Sequence, residues 1–343
     1  MHLLDQQLNH MIRGRFQDGW TIAQELERRY PDDHRAKFNR GWFLINQGQL
    51  QQGYQCLEYG RSISVYGDDT KTVKVKPKWD QSDLQGKTVI LNLEGGFGDN
   101  IMQSRFATDF AARGAKCLVN TDKRLHGILG GIKGVDACIT NEYVRQTHHD
   151  WHVPGFSAVW MLGHDFDTLP HQPFITANPD LMQVWRSILR TDKPKVGIRW
   201  SGLPTFEHQQ FRLFPPRKLI DLHKKFPHIQ FVSLQKDDNL IELPPQVKDV
   251  THFLETWDDT AACIANLDLV ISSCTSVAHL AASMGLPTWI LVPILPYHCW
   301  AYGDEHSPWY AKTCRLFRQV QFGNWDHTFH QIEQQLQEKF PHR

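Results

Sequence analysis

Between Leu267 and Val292 the chain runs apolar, small and polar, helical, then apolar again, and the same alternation recurs elsewhere. Leu267, Leu269, Val270 and Ile271 form the short apolar run of a parallel strand covered on both faces. Ser272, Ser273, Cys274, Thr275 and Ser276 interrupt it, Val277 to Met284 favours helix, and Gly285 with Pro287 ends that helix. Lys87 to Leu93 is another β-branched, apolar strand, followed by the glycine-rich turn Glu94 to Asn100 and a helical stretch from Ile101 to Arg113. Lys116 to Asn120, Ala137 to Thr140 and Phe156 to Leu162 read as further strands of that first run. A second run starts at Lys195 to Trp200 and continues through Phe231 to Leu234, Val247 to Val250, and a helix capped by Trp257 to Thr260. Strands alternating with helices in two successive runs predict two doubly wound α/β domains.

Residues 1–66 follow a different period. Gly14 to Trp20 aligns with Gly48 to Tyr54 at a spacing of 34 residues, with small, aromatic and turn positions recurring together. That period resembles the tetratricopeptide repeat, in which helical pairs stack on one another. Pro31 marks the handover between units, and Asp32 or Asp33 can cap the next helix. Two repeats need a neighbour to bury their faces, so they read as a helical cap on the following domain or as a docking surface for a protein partner. The expected boundaries are repeats over 1–66, a linker over 67–85, an acceptor-side domain over 86–185, a nucleotide-sugar domain over 186–324 and a C-terminal amphipathic helix over 325–343.

Composition narrows the function. The 343 residues are 41% hydrophobic and 22% charged, with formal net charge +0 and pI ≈ 7.3, so nothing in the charge favours nucleic acid or a membrane surface. The seven cysteines are widely spaced, several inside apolar segments, as expected of buried thiols in a reducing cytoplasm. No run reaches the length of a membrane span. His148 and His152 have the spacing of two ligands on one helix face, but no Cys pair or third ligand completes a metal motif, so no metal is expected.

The candidate chemistry sits at the carboxyl ends of the predicted strands, where ligands of such sheets bind. Arg199, Gln235, Lys236, Thr275, Ser276 and His279 all fall there. A cation, an amide and a helix N-terminus can together hold a pyrophosphate, while Thr275 or Ser276 can alternatively serve only as a cap. Ser201, Arg212, Asp258 and Thr260 are further candidates on the same loops. In the first domain, Gly95, Gly96 and Gly98 let backbone turn tightly or approach a ligand, without the spacing of the dinucleotide fingerprint. Asp99 and Asn100 follow; Asp99 can cap the helix or take a proton from an acceptor hydroxyl.

These residues carry a resemblance. Val196 to Gly202, Phe206 to Arg212, Ser233 to Gln235, Trp257 to Ala261, Asp268 to Pro287 and Ser307 to Tyr310 resemble the tetratricopeptide-containing glycosyltransferases related to glycosyltransferase family 9, the heptosyltransferase family. Glu94 to Asn100 is similar to that family's Gly-Asp loop. The resemblance implies a GT-B fold, two facing Rossmann-like domains, with a nucleotide-diphosphate sugar held by the second and no cofactor or metal. It implies inverting transfer to an acceptor glycan or protein with Asp99 as base, and a final helix that crosses back to the first domain. Cys274-Thr275-Ser276 departs from the family's Asp-Thr-Gly, and the missing acid weakens any assignment of ADP-heptose as donor. A non-catalytic binding module on a transferase-like scaffold is the alternative.

Overall fold

The computed structural model describes residues 3–67, 75–206, 209–236 and 240–342. Residues 68–74 of the expected linker, and Glu207 and His208 of the Phe206 to Arg212 motif, lie outside the described residues. The chain divides into two units, Met1–Ile175 and Thr176–Arg343. Each contains a parallel sheet flanked by helices, a mixed α/β architecture.

The first unit opens with helices α1 (Leu3–Ile12), α2 (Phe16–Arg29), α3 (His34–Asn46), α4 (Leu50–Leu57) and α5 (Tyr59–Ser62). Helix α1 packs on α2, α2 on α3 and α3 on α4. The 34-residue spacing is the spacing of their turns. Gly14 and Gly48 adopt φ of 71° and 88°, and the bonds Arg15 N to His10 O and Gln49 N to Leu44 O close both helix ends alike. Asp33 caps α3, accepting from Ala36 N at 2.9 Å.

Strands β1 (Thr88–Asn92), β2 (Lys116–Asn120), β3 (Ala137–Ile139) and β4 (Trp151–Pro154) follow, in the all-parallel order β3-β2-β1-β4. Helix α6 (Phe97–Gln103) leaves the glycine-rich turn after β1. The fourth strand is not the predicted Phe156 to Leu162, which turns and forms the short helix Ala158–Met161. Nearly every residue of that segment is buried, and a largely apolar run does not distinguish strand from helix.

The second unit begins with α7 (Pro179–Ile188) and contains β5 (Lys195–Arg199), β6 (Gln230–Ser233), β7 (Val247–Asp249), α8 (Trp257–Ile264), β8 (Leu269–Ser273), α9 (Ser276–Ser283), β9 (Thr288–Val292), β10 (Cys314–Arg318) and α10 (Asp326–Lys339). All six strands are parallel, in the order β10-β9-β8-β5-β6-β7. The chain therefore builds outward from β5 through β6 to β7, then returns to the other side of β5 for β8, β9 and β10. Its strand order reverses between β5 and β8, where Arg199 pairs with Ser272. The core joins Val196, Ile198, Phe231, Leu269 and Ile271 of the sheet to Phe329, Ile332 and Leu336 of α10. Those three α10 residues have one-face helical spacing, so the apolar face of the last helix belongs to the core of the second unit.

Candidate functional site

A doubly wound sheet leaves a crevice where its strand order reverses, because the loops from the two neighbouring strands diverge to opposite faces. Here those loops are Trp200 to Phe206 after β5 and Cys274 to Thr275 after β8. Thr275 occupies the N-cap of α9 in an extended conformation, but its side chain makes no capping bond. Its hydroxyl lies 3.0 Å from that of Ser272 instead. The first turn of α9 is thus not capped by its own N-cap side chain, and Ser276, its first residue, is half-buried.

Several side chains at these strand ends hold the loops in place. Gln235 is buried, and its side-chain carbonyl accepts from Trp200 N at 3.2 Å and Ser201 N at 3.0 Å. Arg199 donates through Nε to Ser201 O at 3.1 Å and through Nη1 to Leu234 O at 2.8 Å. Lys236 donates to Leu254 O. In this conformation three of the six phosphate candidates, Arg199, Gln235 and Lys236, brace backbone.

Arg212 is differently placed. Its Nε donates to Gln209 Oε1 at 2.7 Å, its Nη1 donates to Cys274 O, and its guanidinium lies 4.5 Å from the Phe206 ring centroid. Gln209 in turn donates to Ser201 Oγ at 3.0 Å. A Cβ on Gly202 would sit 2.7 Å from Arg212 Nη2 and 3.3 Å from Thr275 Cγ2. Arg212, Ser201 and Thr275 are therefore gathered around Gly202, with a fixed cation beside the start of α9. Asp258 and Thr260 open α8, where Thr260 bonds back to Thr256 O at 3.0 Å. Burial, and then the charge of Asp259, push the Asp258 carboxyl above its ordinary value.

His279, on the next turn of α9, is buried with Nδ1 2.6 Å from the Tyr310 hydroxyl. Its ring lies 4.7 Å from that of Trp300, which stacks on Tyr310 at 5.8 Å. Trp300 and Gln209 were missed in the sequence. The Phe206 to Arg212 motif carried Gln209, whereas nothing local marks Trp300 as a neighbour of His279.

In the first unit, half-buried Asp99 occupies the third position of α6, where its Oδ2 accepts from Gly96 N at 2.9 Å. Gly95 has φ of 79°, and a Cβ there would lie 2.5 Å from that same oxygen. Gly98 is the second residue of the helix. Asn100 is buried, donating to Glu94 O at 3.0 Å and Gly96 O at 2.9 Å and accepting from Thr121 Oγ1 at 2.7 Å. Asn100 therefore braces the turn from below.

Among the described residues, no group of three or more His, Cys, Asp or Glu is arranged to hold a metal ion. His152 lies on β4, its Nδ1 2.6 Å from Lys76 O, so it shares no helix face with His148. No helix among the described residues is long and apolar enough to cross a membrane.

The chain matches no protein-family model. It is similar to the protein FlbA of Caulobacter vibrioides, 23% identical over 336 residues, covering 88% of this chain and 55% of that protein. The chain thus spans about half the length of the curated relative it matches. Its fold is similar to that of a family 9 glycosyl transferase from Veillonella parvula, with TM-score 0.50, 12% identity and coverage of 70% of this chain and 88% of that one. It is likewise similar to the ADP-heptose lipopolysaccharide heptosyltransferase II of E. coli, with TM-score 0.50, 12% identity and coverage of 74% and 99%. The fold defined by its two parallel sheets is thus one shared with heptosyltransferases.

Proposed function

We propose that the chain is a cytoplasmic GT-B glycosyltransferase, transferring a sugar from a nucleotide diphosphate to an acceptor hydroxyl of a glycan or protein. The observation that carries this reading is the cation Arg212 fixed beside the start of α9, where Thr275 makes no capping bond and the strand order of the second sheet reverses. A pyrophosphate placed there meets a guanidinium fork and a helix N-terminus, donors that favour its charge as it leaves. Asp99 takes the acceptor proton as the acceptor oxygen attacks the anomeric carbon and the sugar–phosphate bond breaks, an inverting transfer in which no metal is assigned a role. The Gly96 amide, donating to one oxygen of Asp99, fixes its rotamer. The helical hairpins are then tetratricopeptide-type repeats, available to an acceptor or partner protein.

A second reading, a binding module without catalysis, draws support from Arg199 and Lys236, which donate to backbone carbonyls. Thermal shifts with UDP, GDP, ADP, dTDP and CMP compounds, followed by turnover assays on wild type and Asp99→Ala, separate the two. A ligand at one hundred times its Kd adds about 2.7 kcal/mol to stability. The transferase reading expects one such shift, and turnover that Asp99→Ala abolishes without removing the shift. Absence of any shift, or full turnover by Asp99→Ala, sinks it or its base.

A further inference from the structure

Glu94 precedes the glycine turn and is 3% exposed. Its carboxylate is held by Arg61 of α5, through Nη1 to Oε1 at 2.5 Å and Nη2 to Oε2 at 2.9 Å. Oε2 also accepts from Phe156 N at 3.1 Å. Arg61 Nη2 donates to Ser157 Oγ at 3.1 Å, Ser157 Oγ donates to Glu58 Oε1 at 2.7 Å, and Lys78 Nζ reaches Glu58 Oε2 at 3.3 Å. Among the described residues, two cations and two carboxylates meet within one network. Tyr66 stacks on Phe156 beside it, centroids 4.8 Å apart. Burial acts to lower the Arg61 pKa, but the Glu94 carboxylate outweighs it and holds the guanidinium above its ordinary value.

The main chain of Glu94 is fixed from the other side. Its N–H donates to Gln103 Oε1 at 2.8 Å, and its carbonyl accepts from Gln103 Nε2 at 3.1 Å and Asn100 Nδ2 at 3.0 Å. One residue is thus clamped to α5 by its side chain and to α6 by its backbone. The next five residues are the turn that ends in Asp99. A buried ion pair is poor evidence of stability, since an apolar pair of equal volume often does as well. What a bidentate fork supplies is one orientation.

We infer that Arg61 is a positioning residue for the Asp99 turn, so that the helical hairpins form part of the machinery that orients it. The consequence for catalysis rests on Asp99 being the base; the consequence for the order of the turn does not.

The test uses the full chain with Arg61→Lys, which keeps the charge but loses the fork, and Arg40→Lys as control. Arg40 pairs with Glu27 at 2.7 Å within the hairpins and belongs to neither turn nor network. Hydrogen exchange at the Glu94, Gly96 and Phe156 amides should accelerate about tenfold in Arg61→Lys alone, while β5 to β10 exchange as in wild type. Nucleotide affinity should hold while kcat falls about tenfold with donor KM unchanged, the pattern of a lost transition-state interaction. Unchanged exchange at the turn or equal effects from Arg40→Lys would each overturn the inference, and a looser turn with full kcat would overturn its consequence for catalysis. If wild type turns over no donor, the transferase reading fails while the exchange measurement still decides the order of the turn. Should Arg61→Lys not fold, Glu94→Gln, which keeps an acceptor for Phe156 N, is read in its place with the same expected outcomes.

Discussion

The side-chain carbonyl of Gln235, one residue beyond the Leu234 that follows β6, accepts the backbone amides of both Trp200 and Ser201, at 3.2 and 3.0 Å. It ties the loop after β5 to the end of the neighbouring strand. At 1% exposure with its acceptor engaged, Gln235 shapes that loop, and on the proposed reading it reaches a ligand only through it. Gln235→Ala leaves two amides without that acceptor and should cost about 1–3 kcal/mol in urea unfolding. Gln235→Glu keeps an acceptor and should retain most of that stability. If Gln235→Ala unfolded like wild type yet lost nucleotide binding, Gln235 would be a direct ligand.

Arg212 and Lys236 give opposite expectations. A charge-assisted hydrogen bond is worth about 1.5–3 kcal/mol, so Arg212→Ala should weaken nucleotide-diphosphate binding by roughly ten- to a hundredfold in calorimetry. Lys236 donates to Leu254 O, so Lys236→Ala should change affinity by less than about threefold, equivalent to under 1 kcal/mol. Equal losses from the two would place the anion between them, away from the Gly202 cluster.

Thiol chemistry offers a check on the interior. Burial pushes the Cys274 thiol up to about 12 and Cys138 up to about 11, so both stay protonated at pH 8. Cys117, Cys263, Cys299 and Cys314 are buried and Cys56 half-buried. A disulfide reagent at pH 8 should therefore label the native chain slowly, then reach seven thiols after denaturation. Rapid labelling of several thiols in the native state would contradict this burial.

The sequence shows its periods well and its side-chain directions poorly. The doubly covered strands, the glycine turn and the 34-residue spacing were legible because each is a local pattern. Gly14 and Gly48 take positive φ at equivalent helix ends, which a repeat in sequence can register. Trp151–Pro154 was invisible as a strand because four residues, the last a proline, are too few to establish a period. At the candidate site the strand ends were legible, but the bonds made there were not. Arg199 and Arg212 are alike as letters; one donates to Leu234 O just past β6 and the other bridges Gln209 and Cys274. The Arg61–Glu94 pair spans 33 positions between a helix and a turn, so no local rule joins them.

That pair yields the sharpest stability expectation. With side-chain exposures of 9% and 2%, it is shielded from the solvent screening that makes surface pairs nearly neutral. Arg61→Met strands the Glu94 carboxylate and should cost about 3–5 kcal/mol in chemical denaturation, and Glu94→Met should cost a similar amount by stranding Arg61. The double variant removes both charges and should recover most of that loss, giving a coupling energy well above the roughly 0.5 kcal/mol of independent sites. Single-variant costs below about 1 kcal/mol would mean that the pair behaves as a surface pair. Recovery of stability in the double variant without recovery of slow exchange at Gly96 would separate the energy of the pair from the orientation it imposes.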